Sequence, residues 1–177
     1  VTEAVGSPLT RANTQFGDLH GGAGDYFSTP NVVTTWPEVD IRARAKVDSV
    51  TNGFSFLANK HSSFFLATDN STMKFRIIPA AGGQLNYVSS SFTLLSVRTW
   101  FRATYDATTG DAKFFTADGN LEAPAISDYV QLGTTQNSGA AAIAVTTTPF
   151  FAGTWGGAPS SYPFDGDIYR SQVFNEI

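Results

Sequence analysis

Alternation of apolar and polar side chains is the clearest pattern along this chain, and residues 38–47 follow it without a break. Apolar residues take the odd positions of this stretch: Val39, Ile41, Ala43, Ala45 and Val47. Charged residues take the even positions: Glu38, Asp40, Arg42, Arg44 and Lys46. Because successive side chains of a β-strand point to opposite faces, the stretch predicts a strand with one dry face and one charged, solvated face that carries cross-strand ion pairs.

Shorter runs of the same kind predict two β-hairpins. The first consists of two phenylalanine-rich runs, 53–58 and 63–68, whose aromatic side chains should enter the core. The second joins an alternating run at 97–105 to a return strand at 112–116. The intervening residues 106–111 supply Asp, Thr and Gly, which are typical of turns.

Five further strands are predicted along the rest of the chain: 73–78, 129–132, 143–147, 150–154 and 164–174. Strand signals therefore recur about every ten residues, and no long amphipathic helical pattern interrupts them. This organisation is typical of an all-β antiparallel sandwich. The length favours a two-sheet jelly roll over a smaller immunoglobulin-type domain.

Composition agrees with strands and excludes several classes of function. The chain has 15 Phe, 6 Tyr, 3 Trp, 16 Gly and 8 Pro, and aromatic residues suit pleated sheets while Gly and Pro suit turns. The absence of cysteine excludes disulfides and thiolate metal sites. The formal charge is −4 and the basic residues are scattered, so no nucleic-acid partner is expected. No apolar run approaches the roughly 20 residues that span a bilayer, so no membrane insertion is expected.

The length of 177 residues predicts one domain with one main core. Residues 1–15 are polar and show no period, so they are interpreted as an N-terminal arm or linker, and residues 16–177 as the jelly-roll domain. The chain begins at Val1 without the charged-then-apolar pattern of a signal peptide, which is consistent with a processed product or a fragment of a longer protein.

Four motifs give the chain a resemblance to a known family. In order they are GDYF followed by Pro30, then DIRARA, WFRATYD and FDGDIYR, at residues 24–27, 40–45, 100–106 and 164–170. With this order and spacing the chain resembles the laminin-G-like, concanavalin-A-like jelly-roll domains, in particular those of bacteriophage tail and other virion accessory proteins. The resemblance covers about residues 16–175.

The resemblance implies a module with two curved antiparallel sheets whose concave face or rim loops contact a partner. That partner would be a host-surface glycan, another cell-surface polymer or other virion proteins, and a homo-oligomer is compatible with the architecture. The expected location is the phage virion or the extracellular space. A concanavalin-like glycoside hydrolase, or an extracellular carbohydrate-binding domain of a cellular protein, is the alternative.

The strand that begins Glu38-Val39-Asp40 is the candidate for a catalytic pair, because some concanavalin-like glycosidases carry a Glu-x-Asp-x-Glu strand. Same-face residues of a strand lie about 6.5–7 Å apart, a separation at which two carboxylates can share hydrolysis. Arg42, however, stands where that motif has its second glutamate. A cation there keeps nearby carboxylates ionised, whereas a general acid must hold a proton, so the domain is predicted not to be an enzyme.

Calcium is the metal that the sequence favours, and no other cofactor is expected. Asp165 and Asp167 flank a glycine, and Asp18 and Asp25 lie in an N-terminal loop that could meet the C-terminal strand. Carboxylates on loops are the ligands that hard cations prefer. The alternative is that these aspartates satisfy their own backbone in turns.

Trp155 is the candidate ligand-binding residue, because a tryptophan set among glycines can present its flat face to a sugar ring. Tyr162 would assist it, and the alternative is that Trp155 closes the edge of the sandwich. Trp36 and Trp100 are interpreted as packing residues.

His20 and His61 are the two histidines of the chain, and neither lies in a catalytic motif. Both are interpreted as surface residues.

Overall fold

Two antiparallel β-sheets face each other in the computed structural model, which describes residues 12–14, 27–28, 35–49, 53–69, 71–91, 96–154, 164–175 and 177. Those ranges contain no α-helix, and no helix within them is long and apolar enough to cross a membrane. The prediction of an all-β antiparallel sandwich is therefore confirmed.

The strands follow one another in short antiparallel steps. The first seven are β1 (Ala12–Thr14), β2 (Phe27–Ser28), β3 (Glu38–Ser49), β4 (Ser55–Lys60), β5 (Phe64–Thr68), β6 (Met73–Ile77) and β7 (Leu85–Val88). The next six are β8 (Thr99–Asp106), β9 (Asp111–Asp118), β10 (Val130–Gln131), β11 (Gln136–Asn137), β12 (Phe150–Ala152) and β13 (Asp165–Phe174). A 3-10 helix, Ile126–Asp128, lies between β9 and β10.

Sheet one has the spatial order β1-β13-β3-β8-β9-β10, with β11 also paired to β9. Sheet two has the order β2-β12-β4-β5-β6-β7. Both predicted hairpins are present, as β4–β5 and β8–β9. Because Ala12–Thr14 pairs with the last strand, part of the predicted arm belongs to sheet one, while the boundary between arm and domain stays a prediction.

The core lies between the sheets, and the apolar face of β3 runs along its centre. Aromatic rings join the two layers. Phe75 of β6 meets Phe114 of β9 edge to face with ring centroids 6.4 Å apart, and Tyr87 of β7 lies 6.0 Å from Tyr105 of β8. Trp36 is buried and meets Phe64 edge-on at 5.1 Å, so its predicted packing role is confirmed.

One predicted strand is wrong. Within 143–147 only Ile143 pairs, through a single bridge to Pro79. The segment that follows is attached by side chains, because the hydroxyls of Thr146 and Thr148 donate to the carbonyl oxygen of His61 at 3.3 and 2.8 Å. An apolar and β-branched run therefore crosses the end of sheet two without forming a ladder.

Sequence reasoning also missed β7, a four-residue edge strand that follows the glycine-containing turn at 80–83. Its outer edge is closed by a side chain. The amide of Gln136 donates to the carbonyl oxygen of Val88 at 2.6 Å and accepts from the Val88 N–H at 3.4 Å. A residue of sheet one thus pairs with the free edge of sheet two.

A β-bulge at the start of β13 requires a glycine. The register between β13 and β3 shifts between Asp165 and Gly166, and Gly166 has φ +136°. A Cβ at this position would lie 2.0 Å from the carbonyl oxygen of Lys46, so no other residue fits without moving the backbone.

Lys60 at the end of β4 is fully buried, and its Nζ donates to the carbonyl oxygen of Thr148 at 2.6 Å. Burial lowers the pKa of Lys60 from 10.5 to about 8. The folded protein therefore releases this proton at a lower pH than the unfolded chain does.

We expect Lys60 to make the protein more stable as the pH rises from about 8 to 10.5, since over that range the unfolded chain binds more protons at this site. The free energy of unfolding of the wild type, minus that of Lys60→Met, should increase by about 2–3 kcal/mol across the range, measured by urea denaturation. Lys113→Met, which removes a lysine from a partly exposed position of sheet one, is the matched control for the change in net charge. A flat difference for Lys60→Met would contradict the prediction.

Candidate functional site

The outer face of sheet one, which points away from the core, carries a buried ion-pair cluster. Asp40 is fully buried and accepts from Arg102 through two parallel bonds, Nε–Oδ1 at 3.0 Å and Nη2–Oδ2 at 2.9 Å. Arg42 is the second partner, with Nη2 2.6 Å from Oδ2. Asp40 therefore fixes two guanidinium groups from neighbouring strands in place.

Residues 119–132, which include the 3-10 helix and β10, lie over this face and are called the covering segment here. Two side chains of sheet one hold this segment in place. The Nε1–H of Trp100 donates to the carbonyl oxygen of Leu121 at 2.8 Å, and the Nε–H of Arg44 donates to the carbonyl oxygen of Gly119 at 2.7 Å. Gly119 lies so close to the backbone of Arg98 that a Cβ atom at its position would be 2.1 Å from the Arg98 carbonyl oxygen. Arg170 adds a bond from Nη1 to the Glu122 carbonyl oxygen at 3.0 Å.

The prediction that the charged face of β3 is exposed to solvent is therefore wrong where the covering segment lies. The exposed fraction is 0% for Asp40, 3% for Arg102 and 7% for Arg44. A cross-strand ion pair of the predicted kind is present between Asp40 of β3 and Arg102 of β8, but in a dry environment. Trp100 is fully buried beneath the same segment, which confirms its predicted packing role.

An open groove of about 440 Å³ remains between the covering segment and β13. Arg42 from β3 and Arg170, Gln172 and Phe174 from β13 form one side. The covering segment forms the other side through residues 123–126 and Tyr129. The groove therefore combines a polar wall anchored to the sheet with a more apolar wall on the loop.

Aromatic rings hold the arginines of the groove in place. The guanidinium carbon of Arg42 lies 4.5 Å from the ring centre of Phe174 and 5.8 Å from that of Tyr129. Arg102, beneath it, lies 4.7 Å from the ring of Phe115. Stacking of this kind stabilises a cation with little loss of its hydrogen-bonding capacity.

Tyr129 lines the groove, is 8% exposed, and its hydroxyl has no hydrogen-bond partner among the described residues. Burial raises the pKa of Tyr129 above its usual value, so the hydroxyl keeps its proton. Arg170 also has a buried Nε without a partner in that part of the chain. Two unused donors therefore belong to residues that line one groove.

The candidate catalytic pair is not arranged for acid–base work. Asp40 is enclosed by Arg42 and Arg102, as the sequence reasoning expected for Arg42. Glu38 is partly exposed at the strand end and accepts from the backbone N–H of Ile177 at 2.8 Å. Asp40 is fully buried and both of its carboxylate oxygens accept from guanidinium groups, so it has no access to a glycosidic oxygen.

The calcium and aromatic predictions fall mostly outside the described residues. Asp18, Asp25, Trp155 and Tyr162 all lie there, and so does His20. These predictions therefore stay predictions.

The two aspartates of β13 have protein partners. Asp165 accepts from the hydroxyl of Ser49, and Asp167 accepts from the hydroxyl of Tyr169 at 3.2 Å. The described ranges hold no group of three or more His, Cys, Asp or Glu side chains placed to bind a metal. His61 lies in the β4–β5 turn and is partly exposed, with Nδ1 3.4 Å from the Ser62 hydroxyl.

Sequence reasoning placed Arg42 and Arg170 in strands but did not recognise them as parts of one site. The available signal was the repeated arginine at outward positions of three strands that become neighbours: Arg42 and Arg44 of β3, Arg102 of β8 and Arg170 of β13. Nothing in the sequence showed that residues 119–132 would form the opposite wall.

The fold has relatives among solved structures, although no known sequence family and no curated protein match the chain. The carbohydrate-binding module CBM40 of the Ruminococcus gnavus IT-sialidase, solved with α2,3-sialyllactose, is 14% identical with a TM-score of 0.59 over 93% of this chain and 94% of its own. A SAP-like pentraxin of Limulus polyphemus is 10% identical with a TM-score of 0.59, over 97% and 79%. Domains LG4-5 of mouse laminin α1 are 9% identical with a TM-score of 0.53, over 91% and 40%.

These similarities establish the fold, a lectin-like jelly-roll sandwich, and agree with the laminin-G-like resemblance of the sequence. The structures named here are bacterial or animal proteins. A bacteriophage origin therefore gains no support from them and stays a prediction from the sequence motifs.

Proposed function

We propose that this domain is a non-catalytic carbohydrate-binding module whose ligand occupies the groove between the covering segment and β13. The observation that carries the proposal is the groove itself, about 440 Å³ in volume and lined by guanidinium, amide and phenol groups. Small-molecule sites typically have volumes of about 300–1,000 Å³ and a few fixed polar groups.

Rigidity of the polar wall favours binding. Arg42 is held by Asp40 and stacked on Phe174, and Arg170 is held by the Glu122 carbonyl oxygen. Donors that are already ordered lose little conformational entropy when a sugar hydroxyl or carboxylate accepts from them. The apolar residues of the opposite wall suit the C–H faces of a sugar ring.

The fold supports the same class of function. The Ruminococcus gnavus CBM40, a carbohydrate-binding module of the same architecture, was solved with α2,3-sialyllactose bound. Fold alone does not fix function, so the proposal depends on the groove of this chain. Attachment of such a module to a phage particle, with host-surface glycan as its ligand, is the more specific proposal that the sequence motifs add.

We expect a groove-filling variant to lose glycan binding. Ala123 is exposed and lines the groove, so Ala123→Trp should fill it while leaving the fold intact. On a glycan array, and by calorimetry with any glycan that the array identifies, affinity should fall at least about tenfold. Val145→Trp, at an exposed position that does not line the groove, is the matched control and should bind like the wild type.

The opposite pattern would contradict the groove as the site. If Ala123→Trp binds normally while Trp155→Ala loses binding, the ligand contacts the glycine-rich loop that the sequence highlighted. If the wild type binds no glycan on the array or on bacterial envelopes, the proposed function itself fails.

A further inference from the structure

We infer that the groove is selective for acidic glycans and that it holds a sugar carboxylate between Arg42 and Arg170. This inference rests on the proposed function and adds the chemical class of the ligand. It depends on three features of the groove: the sign of its charge, its unused donors and their fixed geometry.

The first feature is a local excess of positive charge in an acidic protein. The formal charge of the chain is −4, yet five of its seven arginines lie on or beside the outer face of sheet one: Arg42, Arg44, Arg98, Arg102 and Arg170. The acidic side chains paired with them are Asp40 and Glu122. No Asp or Glu side chain is among the described residues that line the groove. Positive charge with low-dielectric walls favours an anionic ligand.

The second feature is hydrogen-bonding capacity that the protein does not use. Arg42 donates to Asp40 through Nε and Nη2, both to the same carboxylate oxygen. Arg170 donates through Nη1, and its Nε has no partner in the described part of the chain. The Tyr129 hydroxyl is also without a partner there. Both atoms are shielded from solvent, so a bound oxygen atom recovers the free energy of these unmet donors only where the groove wall moves to admit it.

The third feature is geometry that suits a planar carboxylate. Arg170 and Arg42 come from the adjacent strands β13 and β3, and Arg170 is directly opposite Arg44 in the register, one same-face step from Arg42. Guanidinium groups match the two oxygens of a carboxylate through paired hydrogen bonds. Because Asp40 already neutralises part of the charge beneath Arg42, the groove suits a singly charged group.

The test compares acidic sugars with neutral counterparts of the same shape. Calorimetry would measure 3′-sialyllactose against lactose, and oligogalacturonate against its methyl ester. We expect the wild type to prefer at least one acidic probe over its neutral partner by about tenfold or more, and rising NaCl to weaken that preference. A sulfated oligosaccharide without a carboxyl group should bind more weakly than the preferred acid.

Two variants assign the preference to the groove. Arg170→Gln removes the charge and should reduce the acidic preference about tenfold while leaving binding of the neutral probe nearly unchanged. Tyr129→Phe keeps the ring and should weaken the acidic probe several-fold. Arg76→Gln on sheet two, whose Nε bonds to Asn86 at 2.7 Å, is the control and should retain the wild-type preference. Thermal melts of each variant separate loss of binding from loss of folding.

Several outcomes would overturn the inference. Equal affinity for acidic and neutral probes refutes the carboxylate site while leaving the carbohydrate-binding function in place. Equal or tighter binding of the sulfated probe refutes selectivity for carboxylates. An acidic preference that survives in both Arg170→Gln and Tyr129→Phe places the anion elsewhere.

Discussion

Replacing Asp40 by Asn should lower the free energy of unfolding by about 3–5 kcal/mol, because it leaves the buried guanidinium group of Arg102 and the part-buried one of Arg42 without their counter-charge. Asp40 is fully buried, and Arg102 and Arg42 both bond to it at 2.6–3.1 Å. Urea denaturation followed by tryptophan fluorescence measures the change. The asparagine keeps the size of the side chain, so packing contributes little to the loss.

Asp48→Asn on the same strand is the matched control. Asp48 pairs with Lys46 at 2.7 Å, but the two side chains are 39% and 33% exposed. Exposed pairs contribute about 0–1 kcal/mol, and this variant should change stability by no more than that. Similar losses for Asp40→Asn and Asp48→Asn would show that solvent reaches the cluster and that the covering segment does not seal the outer face.

Replacing Phe114 by Ala should destabilise the protein by about 3–5 kcal/mol through lost burial and a residual cavity. Phe114 is fully buried and joins the sheets through its edge-to-face contact with Phe75. Differential scanning calorimetry should show a melting transition several degrees lower, still in a single step.

Phe115→Ala provides the control on the next residue of the same strand. Phe115 points to the outer face, is only partly buried, and packs against the Arg102 guanidinium at 4.7 Å. We expect it to cost about 1–2 kcal/mol. An equal cost for both variants would mean that the outer face contributes to stability as a second core.

Periodic residues were the part of the fold that the sequence predicted well. The alternation in 38–47 correctly placed Val39 and Ile41 in the core and Asp40 and Arg42 on the opposite face, because side-chain direction in a strand follows from position alone. It could not show that the opposite face would be covered. That depends on where the covering segment packs, and its residues 119–128 show no period that would indicate their position in the fold.

The groove escaped prediction for the same physical reason. Arg42 and Arg170 are 128 positions apart in the chain and become neighbours only through the β3–β13 pairing. Tyr129 reaches them from a loop whose attachment uses backbone acceptors at Gly119 and Leu121. Isolated aromatics in glycine-rich loops, such as Trp155, are visible locally in a sequence, whereas a site made of distant residues becomes visible only when the strand order is known.

The Gln136 side chain that pairs with Val88 has a consequence for the behaviour of the protein at high concentration. A four-residue edge strand with a free backbone row is a template on which a second molecule can add a strand. By occupying both the N–H and the C=O of Val88, the amide leaves an incoming chain no continuous row to extend. The Gln136 side chain therefore protects the domain against edge-to-edge aggregation. Loss of this side chain should promote aggregation before it lowers the free energy of unfolding.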